Sequence, residues 1–146
     1  MAVFDTAGNL LQSINDSHLN APWGVTLAPT GFGDFGGDLL VGNFGSGMID
    51  AFNPTTGVFA GVLTDSTGKP IVNSGLWALE FRTPVAGNAN TGSSPNTLFF
   101  VAGINGEADG LFGRIDQAPE PGTLTTAGFV LAGAFCLRVL RKRSKI

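Results

Sequence analysis

His18 is the single histidine of the chain, and it stands in the polar run Asn15-Asp16-Ser17-His18. Nucleophile, base and acid in consecutive positions cannot face one another as a triad. With no second histidine to serve as base, His18 reads as a loop residue. The carboxylates offer other chemistry. Asp34 and Asp38 flank one Gly-rich turn, and Glu107 and Asp109 flank another. Oxygen-rich loops of this kind can hold Ca²⁺, but the twelve-residue EF-hand spacing is missing. Asp also serves turns through its own side chain, so solvated turn carboxylates are the plainer reading. The same pairs could work as glycosidase carboxylates only if their spatial separation allowed it, which sequence spacing does not fix.

Three further features have a chemical and a bland reading. Gly31-Phe32-Gly33-Asp34-Phe35-Gly36 satisfies G-x-G-x-x-G. A dinucleotide site needs a strand before it and a helix after it, whereas Ala28-Pro29-Thr30 precedes it and the strand-like Leu39-Leu40-Val41 follows. It reads as a loop. Trp23 and Trp77 are expected in the sheet core rather than on a sugar-stacking platform. Cys136 is the only cysteine, which excludes an internal disulfide or a Cys-based zinc site. It lies in an apolar run, where a small buried hydrophobe is expected and lipidation is the alternative.

The end of the chain has a distinct organisation. Ala118-Pro119-Glu120-Pro121-Gly122-Thr123 leads into the apolar stretch 124–140, and Arg141-Lys142-Arg143 follows. Seventeen residues make about 25 Å of helix, a short match to a hydrocarbon core of about 30 Å. Arg138 lies near the end, where its stem can reach the headgroups. The basic cluster belongs on the cytoplasmic side, which puts the body outside. A buried core helix is the competing reading, but a helix apolar all round needs lipid or a large core, and a small chain offers little core. Charge divides in the same way. All eleven acidic residues lie at or before Glu120, against Lys69, Arg82 and Arg114, leaving that part of the chain at −8, while Arg138 onward carries +5. With no aromatic platform beside the basic end, nucleic-acid binding is excluded.

This three-part tail resembles the PEP-CTERM sorting signal of Gram-negative bacteria. The resemblance implies that Pro119, Glu120 and Pro121 are the sorting motif. Arg141, Lys142 and Arg143 would be the stop-transfer signal. It also implies that an exosortase, a membrane-embedded transpeptidase-like enzyme, is the processing partner at the cytoplasmic membrane. The protein would then be cargo, held first with a periplasmic ectodomain and then displayed at the cell surface or outside the cell.

With 22 Gly and 12 Phe but only 13% charged residues, the body is too apolar for a disordered chain. It is also too rich in Gly for a helical bundle. Short apolar runs punctuated by Gly predict an all-β fold. Three echoes recur: Val3-Phe4-Asp5 with Ala51-Phe52-Asn53, Trp23-Gly24-Val25 with Trp77-Ala78-Leu79, and Leu39-Leu40-Val41 with Leu98-Phe99-Phe100. Their offsets drift around 50 residues, as a four-stranded unit with variable loops would give. Strands are expected near 2–14 (two), 23–28, 38–43, 47–53, 57–63, 76–82, 97–103 and 111–116.

The fold class expected is therefore a partial β-propeller of about two and a half four-stranded blades, followed by one C-terminal transmembrane helix. A small β-sandwich is the alternative. The domain reading is blades over 1–116, linker and sorting motif over 117–123, transmembrane helix over 124–140 and basic tail over 141–146. Two and a half blades cannot close a ring. Met1-Ala2-Val3-Phe4-Asp5 also lacks the basic and apolar regions of a signal peptide. The expectation is thus a C-terminal fragment with blades missing upstream. The phrases Asn20-Ala21-Pro22-Trp23-Gly24 and Gly37-Asp38-Leu39-Leu40-Val41-Gly42-Asn43 resemble a PEP-CTERM-associated family with NHL-like propeller repeats. The function expected is a non-catalytic binding or structural role at the surface, with exopolysaccharide or matrix as a partner and no cofactor beyond the Ca²⁺ alternative. The rivals are a propeller hydrolase or lactonase with its active site in the missing blades, and a tail-anchored protein that is never processed.

Overall fold

The computed structural model describes residues 1–81 and 94–117. The sorting motif Pro119, Glu120 and Pro121, the apolar stretch 124–140 and the basic triplet Arg141, Lys142 and Arg143 lie outside the described residues. Among the described residues no helix is long and apolar enough to cross a membrane.

The described residues form nine strands in three antiparallel sheets, in strict chain order. The first sheet pairs β1 (Ala2–Phe4) with β2 (Leu10–Ser13). The middle sheet runs β3 (Pro22–Leu27), β4 (Leu39–Asn43), β5 (Ile49–Phe52), β6 (Phe59–Val62). The third runs β7 (Leu76–Phe81), β8 (Leu98–Gly103), β9 (Asp109–Ile115). Every strand falls where the alternation and repeats place it, and none of these sheets closes into a barrel.

Turn chemistry sets the hairpins. The Asp5 carboxylate accepts the N–H groups of Ala7 and Asn9, and Gly8 takes φ +84°. In the β5–β6 turn Asn53 accepts from Thr55 and Thr56, with Gly57 at φ +71°. A short side chain that mimics a backbone acceptor, followed by a residue free to enter the left-handed region, makes a tight reversal. The echo between residues 3–11 and 51–59 is thus one hairpin built twice.

The middle sheet is sandwiched. Leu40, Gly42, Ile49 and Ala51 face the third sheet, where they meet Leu76, Leu79 and Leu98 in the main core. Val41 and Phe52 face the other way and pack with Ile14, Met1 and Leu39. Burial on both faces explains why β5 has no exposed position and why its sequence does not alternate like a half-buried strand. Each fully buried Leu, Ile or Phe contributes about 1.5–3 kcal/mol relative to exposure.

Trp23 and Trp77 overturn one expectation. They are 59% and 40% exposed rather than core residues. The cause is a bulge at the same point of each repeat. Pairing jumps from Pro22–Asn43 to Gly24–Gly42, and from Leu76–Ala102 to Ala78–Val101, leaving each Trp without a partner. An extra residue in one strand re-aims its side chain. Gly24 then takes the inward position, where the strands approach so closely that a Cβ would lie 2.9 Å from the backbone nitrogen of Leu79.

Candidate functional site

Two constellations gather polar groups on the described body. The first grows from the loop between β2 and β3. Asn43 is fully buried at the end of β4, and its Nδ2 donates to the Asp50 carboxylate at 2.7 Å. Its Oδ1 accepts the Asn20 N–H at 2.8 Å, tying the loop to the middle sheet. Burial pushes the Asp50 carboxyl above its ordinary range, and nearby Asp16 adds to this, while His18 and the Asn43 hydrogen bond oppose it. His18 lies flat on Phe59, with ring centroids 3.7 Å apart, and its Nδ1 meets Asp16 Oδ1 at 2.6 Å.

Asp16 and His18 do meet, as a pair rather than as members of a triad. The Asp16 side chain also accepts the His18 N–H at 2.9 Å, and this two-residue turn folds the imidazole back onto its carboxylate. These bonds hold the Asp16 carboxyl below its ordinary range, the backbone bond most of all. The pair is exposed and stacked on an aromatic ring, which makes it a loop clasp. The buried Asn43–Asp50 pair was missed, although a lone Asp inside an apolar strand was its signal.

The second constellation surrounds the point where the chain leaves the body. Thr97 is fully buried and its hydroxyl donates to Asp116 at 2.6 Å, while Arg114 Nε meets the other Asp116 oxygen at 3.0 Å. With its amide oriented by the hydrogen-bond network, Gln117 donates to the Gly31 carbonyl at 2.8 Å and accepts from the Gly33 N–H at 2.9 Å. The G-x-G-x-x-G segment is therefore a docking loop for Gln117; it contains a short 3₁₀ turn over Gly33–Phe35, and the next element is the strand β4 rather than a helix. Beside it opens a cleft of about 450 Å³, with Phe32, Phe35, Leu63, Ile71 and Ile115 among its walls and Asp34, Asp65 and Asp116 on its lining.

The remaining candidates do not converge. Asp109 accepts from Asn105 at 2.7 Å across the β8–β9 turn. Among the described residues no three carboxylate, histidine or cysteine side chains come together as metal ligands. Trp23, Trp77 and Phe44 form an aromatic trio, with the two indoles 4.9 Å apart and tilted by 58°.

With this geometry in hand, comparison with known proteins bears on both halves of the chain. The family described as the PEP-CTERM protein-sorting motif matches residues 117–142, so the match starts at the docked Gln117. The chain therefore carries an export-sorting signal of the kind handled by exosortases, associated with a membrane and directed toward the cell surface. Two proteins of Acanthamoeba polyphaga mimivirus, uncharacterized protein R648 and uncharacterized protein L690, are 31% and 30% identical to it over 116 residues. That covers 79% of this chain but 26% and 28% of theirs, so the chain spans about a quarter of the length of the curated relatives it matches. No solved structure matches. The resemblance to NHL-like repeats finds no support among these matches.

Proposed function

We propose that this chain is the membrane-proximal part of an exported, non-catalytic surface protein, delivered by exosortase-type processing of its C-terminal tail. The observation that carries this is the sorting-motif match over 117–142, which spans Pro119-Glu120-Pro121, the apolar run 124–140 and the first basic residues, Arg141 and Lys142. In this reading 117–123 is linker and motif, 124–140 spans the cytoplasmic membrane and 141–146 stays in the cytoplasm. The body stands in the periplasm until release to the surface. Its role there is binding or structural, with exopolysaccharide or matrix as the surroundings.

The body reads as propeller blades over 1–116. Support comes from three stacked antiparallel meanders in chain order, from the Trp bulge repeated in β3 and β7, and from relatives nearly four times as long as the aligned stretch. Blades pack face to face around a ring and need about four to eight members.

The test is to express the tagged full chain, provided with an export signal, in a Gram-negative host that has an exosortase-type enzyme. The parent chain is expected to lose its tail and leave the membrane fraction. Replacing Pro119, Glu120 and Pro121 together with Ala should leave it full-length and membrane-bound. Equal processing of both chains would refute the role of the motif, and retention of both would favour a tail anchor that is never cut.

A further inference from the structure

Matching positions of the repeat have very different exposure. The Trp bulges align β3 with β7, so Val25 corresponds to Leu79 and Leu27 to Phe81. Leu79 and Phe81 are 4% and 9% exposed, whereas Val25 and Leu27 are 47% and 58% exposed. Chemistry does not explain this, because all four are apolar. The neighbour does. The face of β7 is covered by a complete four-stranded sheet. The matching face of β3 looks toward the first sheet, which has only two strands. Those two are the outer pair, since β1–β2 repeats the β5–β6 hairpin. They cover Val41 and Phe52 through Ile14 and Met1 and leave β3 bare.

The edge of the first sheet agrees. The Met1 nitrogen donates to the Ile14 carbonyl at 2.8 Å, and the Ile14 N–H donates back to Met1 at 2.8 Å. In an antiparallel ladder the next residue then points its N–H and C=O away from the partner. Ala2 therefore presents both groups to the unpaired side of β1, an open template for another strand.

From the bare face and the open edge together, and resting on the repeat reading above, we propose that β1 and the Val25–Leu27 face are the seat of a two-stranded antiparallel hairpin. It is the inner strand pair of the same repeat, carried by polypeptide joined ahead of β1. The source follows from topology, because within each sheet a strand pairs with its predecessor in the chain. Its chemistry follows from the packing of the middle sheet on the third. Its first strand carries Gly where β3 has Gly24, since an added Cβ would meet the backbone of the facing strand, and its second carries Leu where β4 has Leu40.

The test uses the repeat itself. Met1 corresponds to Ile49, so a second copy of residues 20–48 fused directly ahead of Met1 in the full chain supplies the hairpin with its own turn. Amide hydrogen exchange at Ala2 is expected to slow at least tenfold, and binding of a hydrophobic dye to fall. Val25→Glu and Leu27→Glu in the original β3 should cancel both gains, while the same changes in the unfused chain leave its unfolding midpoint in place. Unchanged exchange and dye binding in a fused chain whose tryptophan circular dichroism shows a folded body would overturn the proposal. Failure of the ring reading would look different: the fused hairpin would dock, but a chain extended by further copies of the repeat would show an open stack in electron microscopy.

Discussion

Replacing Gly24 with alanine probes the contact on which the stacking of the sheets depends. An added Cβ would stand 2.9 Å from the Leu79 nitrogen, 3.1 Å from the Ala78 carbonyl carbon and 3.1 Å from Leu79 Cγ. Two of these are backbone atoms in a paired strand, so no side-chain rotation relieves them. The inner strands must part by several tenths of an ångström. Overpacking of this kind costs about 1–3 kcal/mol, and each kcal/mol lowers the melting midpoint of a domain near this size by roughly 5 °C. Trp23 and Trp77 are the only tryptophans and the chain has no tyrosine, so near-ultraviolet circular dichroism reports directly on the indole pair spanning this contact. Gly24→Ala should lower the unfolding midpoint and weaken that signal. Gly42→Ala should cost less, because its nearest neighbours are side-chain atoms of Leu76 and Leu79. Gly110→Ala meets nothing within 4 Å and should change stability by less than about 0.5 kcal/mol. A Gly24→Ala chain as stable as Gly110→Ala, with an intact tryptophan signal, would refute the close-packed interface.

Other outcomes follow from single groups. Burial raises the Asp50 carboxyl above its unfolded value, so the folded chain holds this proton longer, and Asp50 lowers stability as pH rises from about 4 toward its folded value. Asp50→Asn should therefore flatten that part of the stability curve in pH-dependent denaturant titrations, and a curve parallel to the parent would contradict it. Asp5 and Asp65 are held low by hydrogen bonds from Asn9 and Thr67 first of all. Their contribution has the opposite sign and disappears on acidification through their folded values, so Asp65→Ala should reduce the loss of stability in acid. Thr97→Val removes the donor to Asp116 while keeping the shape, and should cost about 1 kcal/mol in chemical unfolding. Gln117→Ala should leave the unfolding midpoint almost unchanged but increase proteolytic cutting at the body–tail junction.

The strands were legible because apolar runs, Gly-bearing turns and a repeat near 50 residues all pointed to the same elements. The Asp5 and Asn53 hairpins could be matched before any coordinates, since their turn residues have one job in both places. The direction of Trp23 and Trp77 could not. A bulge shifts the two-residue period by one, and every later side chain in the strand then faces the other way. The Asn43–Asp50 pair joins positions on neighbouring strands whose register was unknown, and the Gln117 contact joins residues more than eighty positions apart. Local chemistry gave the elements, whereas long-range register decided what the side chains meet.

The docking of Gln117 also fixes a length. Once that residue is held by Gly31 and Gly33, seven steps of chain separate it from Leu124, a contour of at most about 25 Å. With the apolar run in a bilayer as proposed, the body hangs on a leash shorter than a typical domain's own diameter. The acidic cleft beside Gln117 is then confined to the layer next to the headgroups. Cutting the leash frees the whole body from that layer in one event, without any change in its fold.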